Sequence, residues 1–223
     1  MKSLVHTVCL LSLSLPLAAH ALTDDEPLPM RYEAPIQPGG QSSTPGAGPA
    51  STSRLVDGCA LYVTQVEDLR RYPEYVGNVS FAMPGPLSTP LFMQSIRGAG
   101  GREWAMEALK TLTAQGFQPR IGEAPTTPAS AHAVAAVELK LAHTWSAGLN
   151  LLSHVVLRVR YQNGGTEDIR HYHGLGSKLN WANGNGEFMT TLNHAMTEAV
   201  AAFAVDAASV CASRQLASQK AGG

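Results

Sequence analysis

From Val155 to Tyr161 the chain alternates between an apolar set (Val155, Leu157, Val159, Tyr161) and a wetter one (Val156, Arg158, Arg160). Side chains of an extended strand point by turns to two faces, so the run predicts a strand with one buried and one solvated face. Asn163-Gly164-Gly165 follows and leads into Thr166 to His173. A strand ending in such a turn signal reads as one arm of a hairpin. The same alternation occurs upstream, where Val137, Leu139 and Leu141 interleave with Glu138 and Lys140. Three strands of this kind make an antiparallel meander covered on one side, and the cover must come from elsewhere in the chain.

Two segments have the period to supply it. From about Gly186 to Ser213, Phe188, Leu192, Met196, Ala199, Phe203, Ala207 and Val210 recur at helical spacing, with Asn185 as the expected N-cap. Between Arg102 and Gln115, Ala105, Ala108, Leu109 and Leu112 form a shorter apolar stripe, and Gly116 is a natural stop. Cys59 to Val66 reads as a strand with Cys59, Leu61 and Val63 on one face. Tyr72 to Pro90 reads as irregular, broken by prolines, with one short strand at Val79 to Ala82. Phe117 to Ile121 reads as an edge strand, since Pro119 has no backbone N–H to give a central ladder. The expected fold is α+β: an antiparallel meander sheet with two helices, one long and C-terminal, on one face.

The N-terminus gives an address. Lys2, the apolar run Val8 to Leu15 and the small residues Ala19 and Ala21 stand in the order of a secretion signal, with cleavage expected after Ala21. Residues 22–54 read as a disordered linker rich in Pro, Gly and Ser, residues 55–213 as one domain, and residues 214–223 as a disordered tail. After cleavage two cysteines remain. Cys59 lies on the apolar face of a strand and Cys211 on that of a helix, which together with an oxidising compartment predicts one disulfide. The expected location is periplasmic or secreted. A hydrophobic fraction of 44% suffices for a core, and a net charge of -1 argues against nucleic acid as a partner. No second apolar segment reads as long enough to span a membrane.

No catalytic set emerges. His171 and His173 fall on one side of a strand, a spacing found in metal sites; a third ligand would have to come from His143, His154, His194 or Glu187, which sequence cannot bring to them. Arg97 to Gly101 is a Gly-rich stretch before a helix, matching neither a dinucleotide nor a phosphate-loop fingerprint. Asn180, Trp181, Asn183 and Glu187 crowd amide groups, an indole and a carboxylate into a turn before the long helix, where they read as a binding surface or as turn and cap chemistry.

The strands Val137 to Leu141 and Val155 to Tyr161, the strand end His171-Tyr172-His173, the turn Asn180 to Glu187 and the helix after it resemble the C-terminal part of the YajG-type envelope proteins of Gram-negative bacteria. The wider layout is similar to auxiliary components of envelope lipid-transport systems. The resemblance implies a polar-capped meander, a long closing helix and a place in the envelope, and brings no catalytic residues with it. Family members are usually lipoproteins, whereas this chain has no lipobox: Cys9 opens the apolar run and Cys59 lies far beyond it. The expected function is that of an exported, non-enzymatic envelope protein without a cofactor. It would bind an envelope protein partner through His171, His173, Asn180, Trp181, Asn183 and Glu187. The alternatives are a metal-dependent hydrolase built on His171 and His173, and a small-ligand carrier using the helix-covered core.

Overall fold

The computed structural model describes residues 26–35, 55–56, 59–82, 90–125, 132–147, 150–163, 166–179 and 184–221. The elements are, in chain order, β1 (Leu28–Pro29), β2 (Ala60–Asp68), β3 (Tyr75–Ala82), β4 (Pro90–Ala99), α1 (Gly101–Lys110), β5 (Gln118–Ile121), β6 (His132–Ala147), β7 (Asn150–Asn163), β8 (Thr166–Leu179) and α2 (Asn185–Ala221). A short 3₁₀ turn, Thr111–Gln115, extends α1 to its stop at Gly116, whose φ is 95°.

Strands β6, β7 and β8 form the expected meander, with Val137 opposite Val159 and Leu157 opposite Tyr172. The rest of the sheet corrects the expectation of a purely antiparallel one. β2 runs parallel to both β5 and β6, and β3 runs parallel to β6. After β2 the chain passes through β3, β4 and α1 before β5, and a long crossover of that kind delivers a parallel neighbour. β6 is long enough to serve two partners along one edge. β2 takes its first half, from His132 to Leu139, and β3 takes Thr144 and Trp145. The prolines around residues 84–90 hid β4, a ten-residue strand paired antiparallel with β3.

Both helices lie on one face, as expected. Leu61, Val63, Val137, Leu157, Trp104, Leu109, Phe188, Leu192, Met196 and Phe203 belong to one buried core. α2 lies directly against β8 at Gly174 and Gly176, which put no side chain between the two backbones. A Cβ on Gly174 would stand 1.8 Å from the Ala195 carbonyl oxygen, and one on Gly176 would stand 2.0 Å from that of Thr191. By length and composition α2 meets the requirement for crossing a bilayer over Asn185–Arg214, contrary to the expectation that no such segment remained. In the fold its Phe188, Leu192, Met196, Phe203, Ala207 and Cys211 are buried in the domain core.

Cys59 and Cys211 are joined, with their Cα atoms 6.3 Å apart and 152 residues between them in sequence. Closing a loop of that length stabilises by about 4 to 5 kcal/mol in the chain-entropy account.

Three boundaries differ from the sequence reading. Residues 26–35, expected within the linker, lie against the domain: β1 pairs with Gly98 and Ala99 of β4, and Leu28 and Met30 enter the core. Tyr32 shares a 2.8 Å hydrogen bond with Thr197, and Asn193 donates to the Arg31 carbonyl at 3.2 Å. Apolar residues spaced among polar ones were enough to anchor this strap. At the other end α2 continues to Ala221, through the segment expected to be a tail, and Arg214 donates to the His132 carbonyl at 2.8 Å. At its start, Asn185 is the first helical residue rather than the cap. The carbonyl of Gly184 accepts the first helical bonds, from Glu187 and Phe188. The secretion signal and residues 36–54 lie outside the described residues.

Candidate functional site

Strand alternation fixes what reaches the face turned away from the helices. On β8, Tyr172, Gly174 and Gly176 are buried beneath α2, so His171, His173 and Leu175 point the other way. The same parity on β7 turns Leu152, His154, Val156 and Arg158 outward, opposite Ser177, Leu175, His173 and His171. On β6 it turns Leu141, His143 and Trp145 outward, opposite Val156, His154 and Leu152.

These registers bring four rings from three strands into one row. His143 and Trp145 have centroids 5.8 Å apart, Trp145 stacks on His154 at 4.9 Å, and His154 stacks on His173 at 4.8 Å. His154 Nδ1 and His173 Nε2 share a hydrogen bond of 2.7 Å, so one of the two rings donates. Burial, then the neighbouring His173, holds the His154 imidazole below its ordinary value; burial, then His154, does the same for His143. Both causes favour neutral rings, which stack without repulsion. Around the row, Leu141, Ile169, Leu175 and Leu179 are exposed, Leu175 by 50%. Apolar surface gathered on one face of a domain is the usual mark of a contact surface.

One end of the face is closed by charge. Glu138 is 2% exposed and faces Arg158 at 2.5 Å and Arg160 at 3.0 Å; Arg160 also reaches Glu167 at 3.2 Å. A buried carboxylate needs such partners, and two guanidinium groups supply them. Toward β3 and β4 the face opens into a groove of about 280 Å³ between the β2–β3 turn and the outer sides of β3, β4 and β6. Arg71, Tyr72 and Tyr75 line it from the β2–β3 turn and the start of β3, and Asn78, Ser95, Lys140, Leu141 and His143 line it from the strands. Arg70 also lines the groove, but its guanidinium is used within the turn. It is bonded to Asp68 at 2.7 Å, to the Pro73 carbonyl at 2.6 Å and to the Tyr75 carbonyl at 3.1 Å.

The side under α2 holds a separate polar network. Tyr172 donates to Asp206 at 2.9 Å, the Tyr161 and Tyr172 hydroxyls lie 3.2 Å apart, and Arg170 reaches Asp206 at 3.1 Å. Burial pushes the Tyr172 phenol up to about 12 and the Tyr161 phenol still higher. Both keep their protons at neutral pH and serve as fixed hydrogen-bonding groups.

The residues singled out from sequence are only partly gathered. His171 and His173 share the open face, as their spacing predicted, and His173 joins the ring row while His171 stands opposite Arg158. Glu187 is on the other side of the sheet, in the first turn of α2. There its carboxylate accepts from the Gly184 backbone N–H at 3.3 Å, half of a capping box. Asn180, Trp181 and Asn183 lie outside the described residues. Among the described residues no group of three or more His, Cys, Asp or Glu side chains has the arrangement of a metal site. Sequence alone gives no sign that Trp145 belongs to the site and no means of joining His143 and His154 to His173. The parity of His143 and Trp145 on one strand was visible, but their meeting with His154 and His173 depends on two hairpin registers.

No family model and no curated protein matches the chain. Among solved structures it is similar to a protein of the DUF330 family from Xanthomonas campestris, at 11% identity and a TM-score of 0.46, over 86% of this chain and 98% of that one. It is also similar to an uncharacterised protein at 12% identity and a TM-score of 0.36, over 72% of this chain and 95% of that one.

Proposed function

We propose that this chain is an exported, non-enzymatic protein of the cell envelope, akin to the YajG-type proteins its C-terminal half resembles, and that it binds a partner protein through the open face of the sheet. One observation carries the reading: three strands present His143, Trp145, His154 and His173 as a continuous row flanked by exposed Leu141 and Leu175, on a face that neither helix covers. Flat aromatic and aliphatic surface on a rigid sheet suits protein contact better than turnover. The imidazoles of His154 and His173 bond to each other, which leaves neither poised on a nucleophile. Export is supported by the order of charge, apolar run and small residues before Leu22, and by a disulfide, which persists in oxidising compartments.

Site-specific photocrosslinking in an exporting cell tests this. A photoreactive residue at Leu175 is expected to give a discrete adduct that the same residue at Lys110 on α1 does not give, and Trp145→Ala with His173→Ala is expected to abolish it. Equal adducts from both positions, or an adduct that survives both substitutions, overturns the assignment of the face.

A further inference from the structure

The groove at the end of the open face has a charge balance that selects a ligand. Arg71 and Lys140 both line it, and no carboxylate among the described residues lines it with them. Among the described residues neither cation has an ion-pair partner, and Arg71 only lies over the Tyr72 ring at 5.3 Å. Asn78 and Ser95 line it as well; the Ser95 hydroxyl donates to Asn78 Oδ1 at 3.4 Å, which leaves the amide nitrogen of Asn78 as the neutral donor. A guanidinium and an ammonium in one groove with a neutral amide donor, and with no described acid in its lining, match an oxyanion. Leu141 and Tyr75, both exposed, give the same groove an apolar flank.

The geometry points to a binding site for a phosphate ester, its phosphoryl group held by Arg71 and Lys140 and its organic part lying along Tyr75 and Leu141. The ester is either a soluble molecule or the headgroup of an anionic lipid, since both offer the same chemistry. This ligand deepens the reading of the open face as the working surface. It also moves the carrier alternative out of the helix-covered core, whose interior is filled by side chains such as Trp104, Phe188 and Phe203.

Titration of ¹⁵N-labelled full domain with phenyl phosphate, beside flotation with phosphatidylglycerol or phosphatidylcholine vesicles, tests the proposal. Saturable shifts at Asn78, Ser95 and Leu141 are expected. Arg71→Met and Lys140→Met are each expected to weaken binding about tenfold, as loss of a charge-assisted contact does. Lys110→Met on α1 is expected to change nothing. Binding of phenyl phosphate without the vesicles identifies a soluble ester; flotation with phosphatidylglycerol alone, lost in the same variants, identifies the lipid. Absence of both, or binding undiminished in the double variant, overturns the site. That failure is distinct from failure of the protein contact, because Trp145 and His173 lie outside the groove and their crosslinks are read separately.

Discussion

The α-carbon of Gly174 lies so close to the Ala195 carbonyl oxygen that a Cβ placed there would sit 1.8 Å from it. Backbone meets backbone, so no rotamer change can relieve the contact. Gly174→Ala is therefore expected to destabilise the domain by about 2 to 4 kcal/mol, as overpacking does when neither side can yield. Urea unfolding followed by tryptophan fluorescence measures it, and an unchanged midpoint would show that α2 does not rest on β8 in this way.

The link between Cys59 and Cys211 joins the residue just before β2 to the far part of α2. Cys211→Ser is expected to cost about 2 to 5 kcal/mol. Adding a reductant to the native protein should have the same effect and should add nothing to the variant. Unfolding curves with and without reductant check both.

Acid should weaken the fold before the carboxylates titrate. His143 and His154 have folded values held below 6.5 by burial, and His132 and His194 are displaced the same way for the same first cause. The unfolded chain thus binds more protons than the native one as pH falls through the ordinary histidine value. Stability is fully present above about pH 6.5 and declines below it, through the lower folded values. Melting temperatures taken from about pH 7.5 to 5.5 should fall, and His154→Phe should flatten the slope. A flat profile in the parent protein contradicts the lowered values of His143 and His154.

Trp104 Nε1 donates to Asn193 Oδ1 at 2.7 Å, and the amide nitrogen of Asn193 donates to the Arg31 carbonyl. One amide therefore ties α1, α2 and the N-terminal strap. Asn193→Ala leaves a buried indole N–H without its acceptor, at a cost of about 1 to 3 kcal/mol. Hydrogen exchange should quicken at residues 28–32 before it quickens in the meander, a local loosening rather than uniform loss.

How far this molecule could be read from its residues depended on the range of the interaction. Periodicity is local, so β2, α1, β5, the meander and α2 were legible, and so was the shared burial of Cys59 and Cys211. The strap was not, because Leu28 and Met30 are too few to mark a segment until Gly98 and Ala99 offer an edge. β4 was hidden by the prolines near it, although its pairing with β3 tolerates Pro90 at the strand's start. At the site, the pairing of His171 with His173 on one face followed from strand parity. The row His143, Trp145, His154 and His173 did not, because a slip of one residue in either hairpin would send a strand's rings to the other face.

The shared edge of β6 has a consequence in time. β2, β3 and β4 are complete once residue 99 has been made, yet β2 and β3 dock in parallel on a strand that begins at His132. The β3–β4 hairpin can close at once, but β2 has no partner among the strands made before α1. A nascent chain therefore holds an unpaired apolar strand carrying Leu61, Val63 and Val66 until its second half arrives. The hairpins of β6, β7 and β8 form from near neighbours, and contacts between near neighbours form first. The second half of the molecule is thus the template on which the first half is assembled, the reverse of the order in which the two are synthesised.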